Sequence, residues 1–158
     1  MSFGAGLASD QGISMQGKCF CGEIVFEISG EFPAIYQCHC SLCRRVSGSS
    51  ANAATIVDSD KLTWLQGSDR ISKYVSATGF QSHFCSCCGS PLPNPTRNGT
   101  AWWVPVGLLE QNEHIELAAH VFTQSKAHWE TLPSAGQHFD QMPSAEALDR
   151  LLRRSKSV

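Results

Sequence analysis

The spacing of the cysteines constrains this chain more than any other feature. Eight fall in three tight groups. Cys19 and Cys21 form C-x-C, Cys38, Cys40 and Cys43 form C-x-C-x-x-C, and Cys85, Cys87 and Cys88 lie in "CSCCG". An even count is compatible with a disulfide framework, but the grouping argues otherwise. Cysteines two apart on an extended backbone project to the same side; they cannot easily pair with each other, yet they can share one metal ion. The first fourteen residues, "MSFGAGLASDQGIS", lack a basic start followed by a long apolar stretch, and read as a flexible tail rather than a signal peptide. The expectation is therefore a cytoplasmic chain whose clustered thiols bind zinc.

A length of 158 residues suits one domain with tails. No apolar run approaches the roughly 18 residues that a membrane span needs, and a net charge of −2 gives no basic footprint for nucleic acid. Ile24, Phe26 and Ile28 alternate with Val25 and Glu27, which predicts a strand directly after Cys21. Further short strands are predicted over 33–38, 52–57, 61–65, 71–76, 80–85, 101–107 and 115–122. Pro105 favours an edge position. The three-cysteine stretch and Ser47–Ala51 read as loop. A helix is predicted over 144–154, with Ser144 as cap and leucines at helical spacing. Many short strands with frequent turns indicate an antiparallel, mainly β domain.

The C-x-C pair Cys19 and Cys21 and the C-x-x-C-G pair Cys85 and Cys88 supply four thiolates, the complement of a closed, structural zinc site; the glycine suits the positive φ of such a turn. Cys87 is left as a spare thiol or packing residue. Cys38, Cys40 and Cys43 then lack a second pair. Three ligands with an open fourth position mark a reactive zinc, with water or a substrate thiol in the gap. His39 lies between two ligands and points to the opposite face of an extended backbone; a distant histidine (His83, His114, His120, His128 or His138) could instead close the site. Arg44 and Arg45 would offset the charge of a three-thiolate centre or grip a substrate carboxylate, or serve as ordinary surface groups. Ser47, Gly48 and Ser49 could line a pocket or form a turn. His39 and His83 are the candidate proton donors. Trp64, Phe80, Trp102 and Trp103 read as core or pocket wall.

The ordered set "GKCFCGEIVFEI", "CHCSLCRRVSG", "FCSCCGSPL" and "HVFTQSKAHWE" resembles the glutathione-dependent formaldehyde-activating enzyme (Gfa) family, whose related domains occur in centromere-protein-V-like proteins. The resemblance spans Gln16 to Leu132. It implies an Mss4-like β-tent of small antiparallel sheets organised around zinc, with a short C-terminal helix following it. It also implies a structural zinc on Cys19, Cys21, Cys85 and Cys88 and a catalytic zinc on Cys38, Cys40 and Cys43. The implied activity, a carbon–sulfur lyase reaction run in reverse, joins glutathione and formaldehyde into S-(hydroxymethyl)glutathione. The expected organisation is a tail at 1–14, a zinc-binding β domain at 15–135 and a helical extension at 136–158. The other readings are a non-catalytic zinc-stabilised binding module and a glutathione carrier.

Overall fold

A computed structural model describes residues 13–110 and 113–154. The expected tail lies outside the described residues up to residue 12, and Ser14 opens the first strand. Strands β1 (Ser14–Lys18), β2 (Val25–Ser29) and β5 (Leu62–Gln66) form a three-stranded antiparallel sheet in the order β1-β2-β5. Strands β3 (Ile35–Cys38), β4 (Asn52–Asp58), β8 (Asn94–Pro95), β9 (Ala101–Pro105), β10 (Leu117–Val121) and β11 (Gln137–His138) form a second sheet, ordered β11-β10-β3-β4-β9-β8. Strands β6 (Ile71–Val75) and β7 (Gln81–Cys85) pair with each other as a hairpin, and Phe84 adds an isolated bridge to Pro91.

The architecture is the mainly β one expected, with two differences of detail. First, β10 runs parallel to both β3 and β11, a long-range pairing that local alternation does not encode. Second, the three-cysteine stretch is not a loop: α1 spans Ser41–Ser47. Its N-cap is Cys40, whose sulfur accepts a hydrogen bond from the Cys43 amide at 3.4 Å. A thiol thus fills the role usually taken by Ser, Thr or Asp. Gly48 ends the helix at φ 64°, the left-handed turn that glycine adopts without a Cβ clash. Pro105 lies beyond the two-residue pairing of β9 with β8, so its missing N–H breaks no ladder there.

One apolar cluster joins the two larger sheets and another seats the C-terminal helix. Phe26, Ile28 and Leu62 of the three-stranded sheet pack on Val57, Val104, Val106 and Leu109. On the other side, Tyr36, Ala54, Ala119 and Val121 pack on Leu148 and Leu152 of helix α2 (Ala145–Arg154). As expected, Ser144 caps α2, its hydroxyl accepting from the Ala147 amide. Arg153 then bridges Asp149 and Asp58 on the surface.

Gly17 shows how close the packing is. The ring of Phe26 lies directly over it, and a Cβ added there would meet Phe26 Cζ at 2.3 Å. Ring and backbone must both move to admit a methyl group. Gly17→Ala is therefore expected to destabilise the fold by about 1–3 kcal/mol. Gly107→Ala, where a Cβ meets nothing within 4 Å, is expected to stay within about 0.5 kcal/mol of the parent. Urea unfolding of the two variants checks the contrast; equal midpoints would contradict it.

Candidate metal centres

The first centre joins two distant turns. Cys19 and Cys21 lie in the tight connection from β1 to β2, closed by Gly22 N–H donating to Cys19 O at 3.0 Å. Cys85 ends β7, and the following turn brings Cys88 beside it, with Gly89 N–H donating to Cys85 O at 2.8 Å and Gly89 at φ 76°. The four sulfurs lie within 4.8 Å of one another. Cys19 and Cys21 Sγ are 3.5 Å apart and Cys21 and Cys85 Sγ 3.8 Å. Tetrahedral thiolates at the usual zinc–sulfur bond length stand about 3.8 Å apart, so the donor set fits a four-coordinate soft metal. The Ile24 amide donates to Cys19 Sγ. Ser90, 3.3 Å from Cys88 Sγ, stabilises that thiolate and draws Cys88 down to about 5. Cys87 is exposed and outside the group.

Cys38, Cys40 and Cys43 form the second group, again with sulfurs within 4.8 Å. The end of β3 supplies Cys38, the N-cap of α1 supplies Cys40 and the first helical turn supplies Cys43. The hydrogen bond from Cys43 pulls Cys38 down to about 6, and the same bond, with burial, pushes Cys43 up. Three thiols this close cannot all ionise without a cation among them. Among the described residues, no histidine or carboxylate joins the group.

His39 turns away from the triad. It is fully buried; its Nδ1 lies 2.9 Å from Glu130 Oε2 and its Nε2 3.0 Å from His120 Nδ1. His120 Nε2 in turn lies 3.1 Å from Ala135 O. The His39 amide donates to Val121 O. This buried chain anchors the backbone between Cys38 and Cys40 to the strand β10 and the segment beyond it. Glu130 and His120 are far away in sequence and carry no local signal of the role.

The triad forms one wall of a cavity of about 380 Å³. Tyr36, Phe80, His83, Arg97 and Trp103 are among its other walls. Trp103 Nε1–H donates to Tyr36 Oη at 2.9 Å, and burial pushes the Tyr36 phenol up, so it keeps its proton. His83 Nε2 is buried with no hydrogen-bond partner among the described residues. Burial, with Lys73 nearby, lowers the His83 pKa. Phe122, also in the wall, holds φ 57°, a left-handed conformation that a bulky residue keeps only when its surroundings fix it. Arg44 and Arg45 follow Cys43 on α1 but are not in this wall; Arg45 borders an adjoining groove. Ser47, Gly48 and Ser49 close the helix end, where Ser47 Oγ donates to Ala51 O and accepts from the Ser49 amide. Arg97, from the loop after β8, lines the cavity, and its Nη2 donates to Thr78 O at 3.3 Å.

The comparisons with known proteins agree with this geometry. A family model described as glutathione-dependent formaldehyde-activating enzyme matches residues 14–125. A Halomonas elongata protein named "Putative glutathione-dependent formaldehyde-activating enzyme" is 33% identical over 85 residues, 49% of this chain and 54% of that protein; the match thus spans about half the relative's length. An uncharacterized lyase of Schizosaccharomyces pombe is 26% identical over 112 residues, 70% of this chain and 80% of that protein. A crystal structure of a Rhodobacter sphaeroides protein superposes with a TM-score of 0.51 at 26% identity, covering 61% of this chain and 88% of that one. With seven clustered thiols on a mainly β frame and a match over most of its length, this chain belongs to the glutathione-dependent formaldehyde-activating enzyme family.

Proposed function

We propose that the protein is a zinc-dependent carbon–sulfur lyase acting on a thiol, glutathione, and a small aldehyde such as formaldehyde, forming and breaking an S-hydroxymethyl adduct. The observation that carries this reading is the Cys38–Cys40–Cys43 triad, a three-thiol set facing a cavity with no fourth protein ligand among the described residues. The four-thiol set on Cys19, Cys21, Cys85 and Cys88 has no such gap and suits a structural zinc. The names of the Halomonas and Schizosaccharomyces relatives support the same reaction class.

Zinc held by the triad would keep an entering thiol as thiolate near neutral pH and polarise a carbonyl beside it. In the addition, the thiol loses its proton, its sulfur bonds to the carbonyl carbon and the carbonyl oxygen gains a proton. The chain's own part is to orient these atoms. Tyr36 accepts from Trp103, leaving its own hydroxyl proton for a group in the cavity. His83 offers Nε2, which no group among the described residues engages. Arg97 is placed to take a substrate carboxylate. Arg44 and Arg45 add positive charge next to a centre that is net negative, and Arg45 borders the adjoining groove, where a charged end of the thiol would fit. Ser47, Gly48 and Ser49 hold the end of the helix that carries Cys43.

Two variants separate the centres. Cys40→Ala is expected to bind one zinc where the parent binds two, to keep its thermal midpoint within a few degrees, and to lose turnover by about a hundredfold or more. Cys85→Ala is expected to lose the other zinc and to unfold at much lower temperature, because the metal's binding energy is also folding energy. Metal analysis, thermal melts and NMR assay of S-hydroxymethyl product make the comparison. Full turnover in Cys40→Ala that has lost its second zinc would end the catalytic reading of the triad.

A further inference from the structure

The cavity is larger and more apolar than formaldehyde requires. Six side chains from separate parts of the chain build its apolar wall: Leu42 and Val46 from α1, Phe80 from the β6–β7 turn, Trp103 from β9, Phe122 after β10 and Met142 before α2. Leu42 and Met142 remain 51% and 42% exposed, large apolar groups left in water at a cavity rim. Phe122 reaches the wall from its left-handed backbone conformation.

Several polar groups of the wall are already engaged. Asn94 Oδ1 accepts from the His83 amide and Asn94 Nδ2 donates to Gln81 O. Thr96 Oγ1 donates to Ala101 O. Tyr36 and Trp103 are bonded to each other. Charge in the wall is limited to Arg97, beside the thiols and His83. Glutathione carries two carboxylates and an ammonium, so a cavity walled in this way does not match its whole body. It does match an apolar body attached to the sulfur. A volume of about 380 Å³ is in the range of pockets that enclose drug-sized ligands, whereas formaldehyde has two heavy atoms.

We infer that the carbonyl substrate is an apolar aldehyde with an alkyl chain or a phenyl ring, whose body lies against Leu42, Val46, Phe80, Trp103, Phe122 and Met142 while the thiol's polar remainder lies outward toward Arg97 and Arg45. This rests on the proposed addition reaction. The same bond changes occur as with formaldehyde: the thiol's S–H bond and the carbonyl π bond break, one carbon–sulfur bond forms, and the proton released by the thiol ends on the carbonyl oxygen. The larger aldehyde adds only buried apolar surface, which contributes in proportion to area.

Unreactive thioethers test the inference without turnover. S-hexylglutathione stands for the adduct of a long aldehyde and S-methylglutathione for that of formaldehyde. Calorimetric titration of the zinc-loaded protein is expected to show the hexyl compound binding tighter by about tenfold or more, with the ratio narrowed in Leu42→Ser and in Met142→Gln. Equal affinities, or no binding of either, would overturn the inference. A parallel NMR assay of glutathione with formaldehyde and with hexanal keeps the two claims apart. Acceleration with formaldehyde but no chain-length preference removes the inference and leaves the proposed function. A hexyl preference with no acceleration of either aldehyde removes the proposed function and leaves an apolar ligand in the cavity.

Discussion

The fold depends on four sulfurs meeting across more than sixty residues of chain. The β6–β7 hairpin pairs with no other strand of the sheets. It is held by the segment after it, with Leu92 N–H donating to His83 O, and where Cys85, at its end, meets Cys19 and Cys21 of the β1–β2 connection beside Ile24 and Leu92. Thiols confined this way repel when ionised and waste their ligand capacity when protonated; a bound cation would resolve both problems and would make binding and folding one event. The same hairpin carries Phe80 and His83 into the wall of the second cavity. The hairpin thus runs from the four-thiol cluster at one end to the wall of the three-thiol cavity.

The second centre is held by different means. Cys38 is fixed by pairing of β3 between β4 and β10, and Cys40 and Cys43 by the first turn of a short helix. Behind them, His39, His120 and Glu130 form a buried polar chain. Such a chain is costly unless every member is satisfied, and it then holds the backbone to one arrangement. The wall that faces the thiols is largely apolar, with Arg97, His83 and Tyr36 among its polar groups.

Much of this was legible in the sequence because metal ligands need particular spacings. The pairings of Cys19 with Cys21 and of Cys85 with Cys88, the alternation at Ile24, Phe26 and Ile28, and the Ser144 cap are local patterns that the structure reproduces. The α1 helix was harder: seven residues show no helical period, and the cap is a cysteine. The usable signals were Gly48 after the last turn and Arg44 and Arg45 within it, which favour a helix C-terminus. Of the two arginines beside Cys43, Arg45 borders the adjoining groove, while Arg97, remote in sequence, lines the cavity itself and had no local signal. The parallel pairing of β10 with β3, and the partners of His39, depend on tertiary contacts that no local pattern records. A similar membership was readable from the ordered motifs, which the family match over residues 14–125 then established. Among the described residues no helix is long and apolar enough to cross a membrane.

The central claim is that the triad offers a metal one open position to a substrate sulfur. Zinc K-edge X-ray absorption of the fully loaded protein, before and after addition of glutathione, tests it most directly. The account predicts two zinc ions per chain, one bound by four sulfurs and one by three sulfurs and a lighter atom, with the lighter atom replaced by sulfur when glutathione is added. A second zinc already closed by a protein nitrogen, or a spectrum unchanged by saturating glutathione, would contradict it.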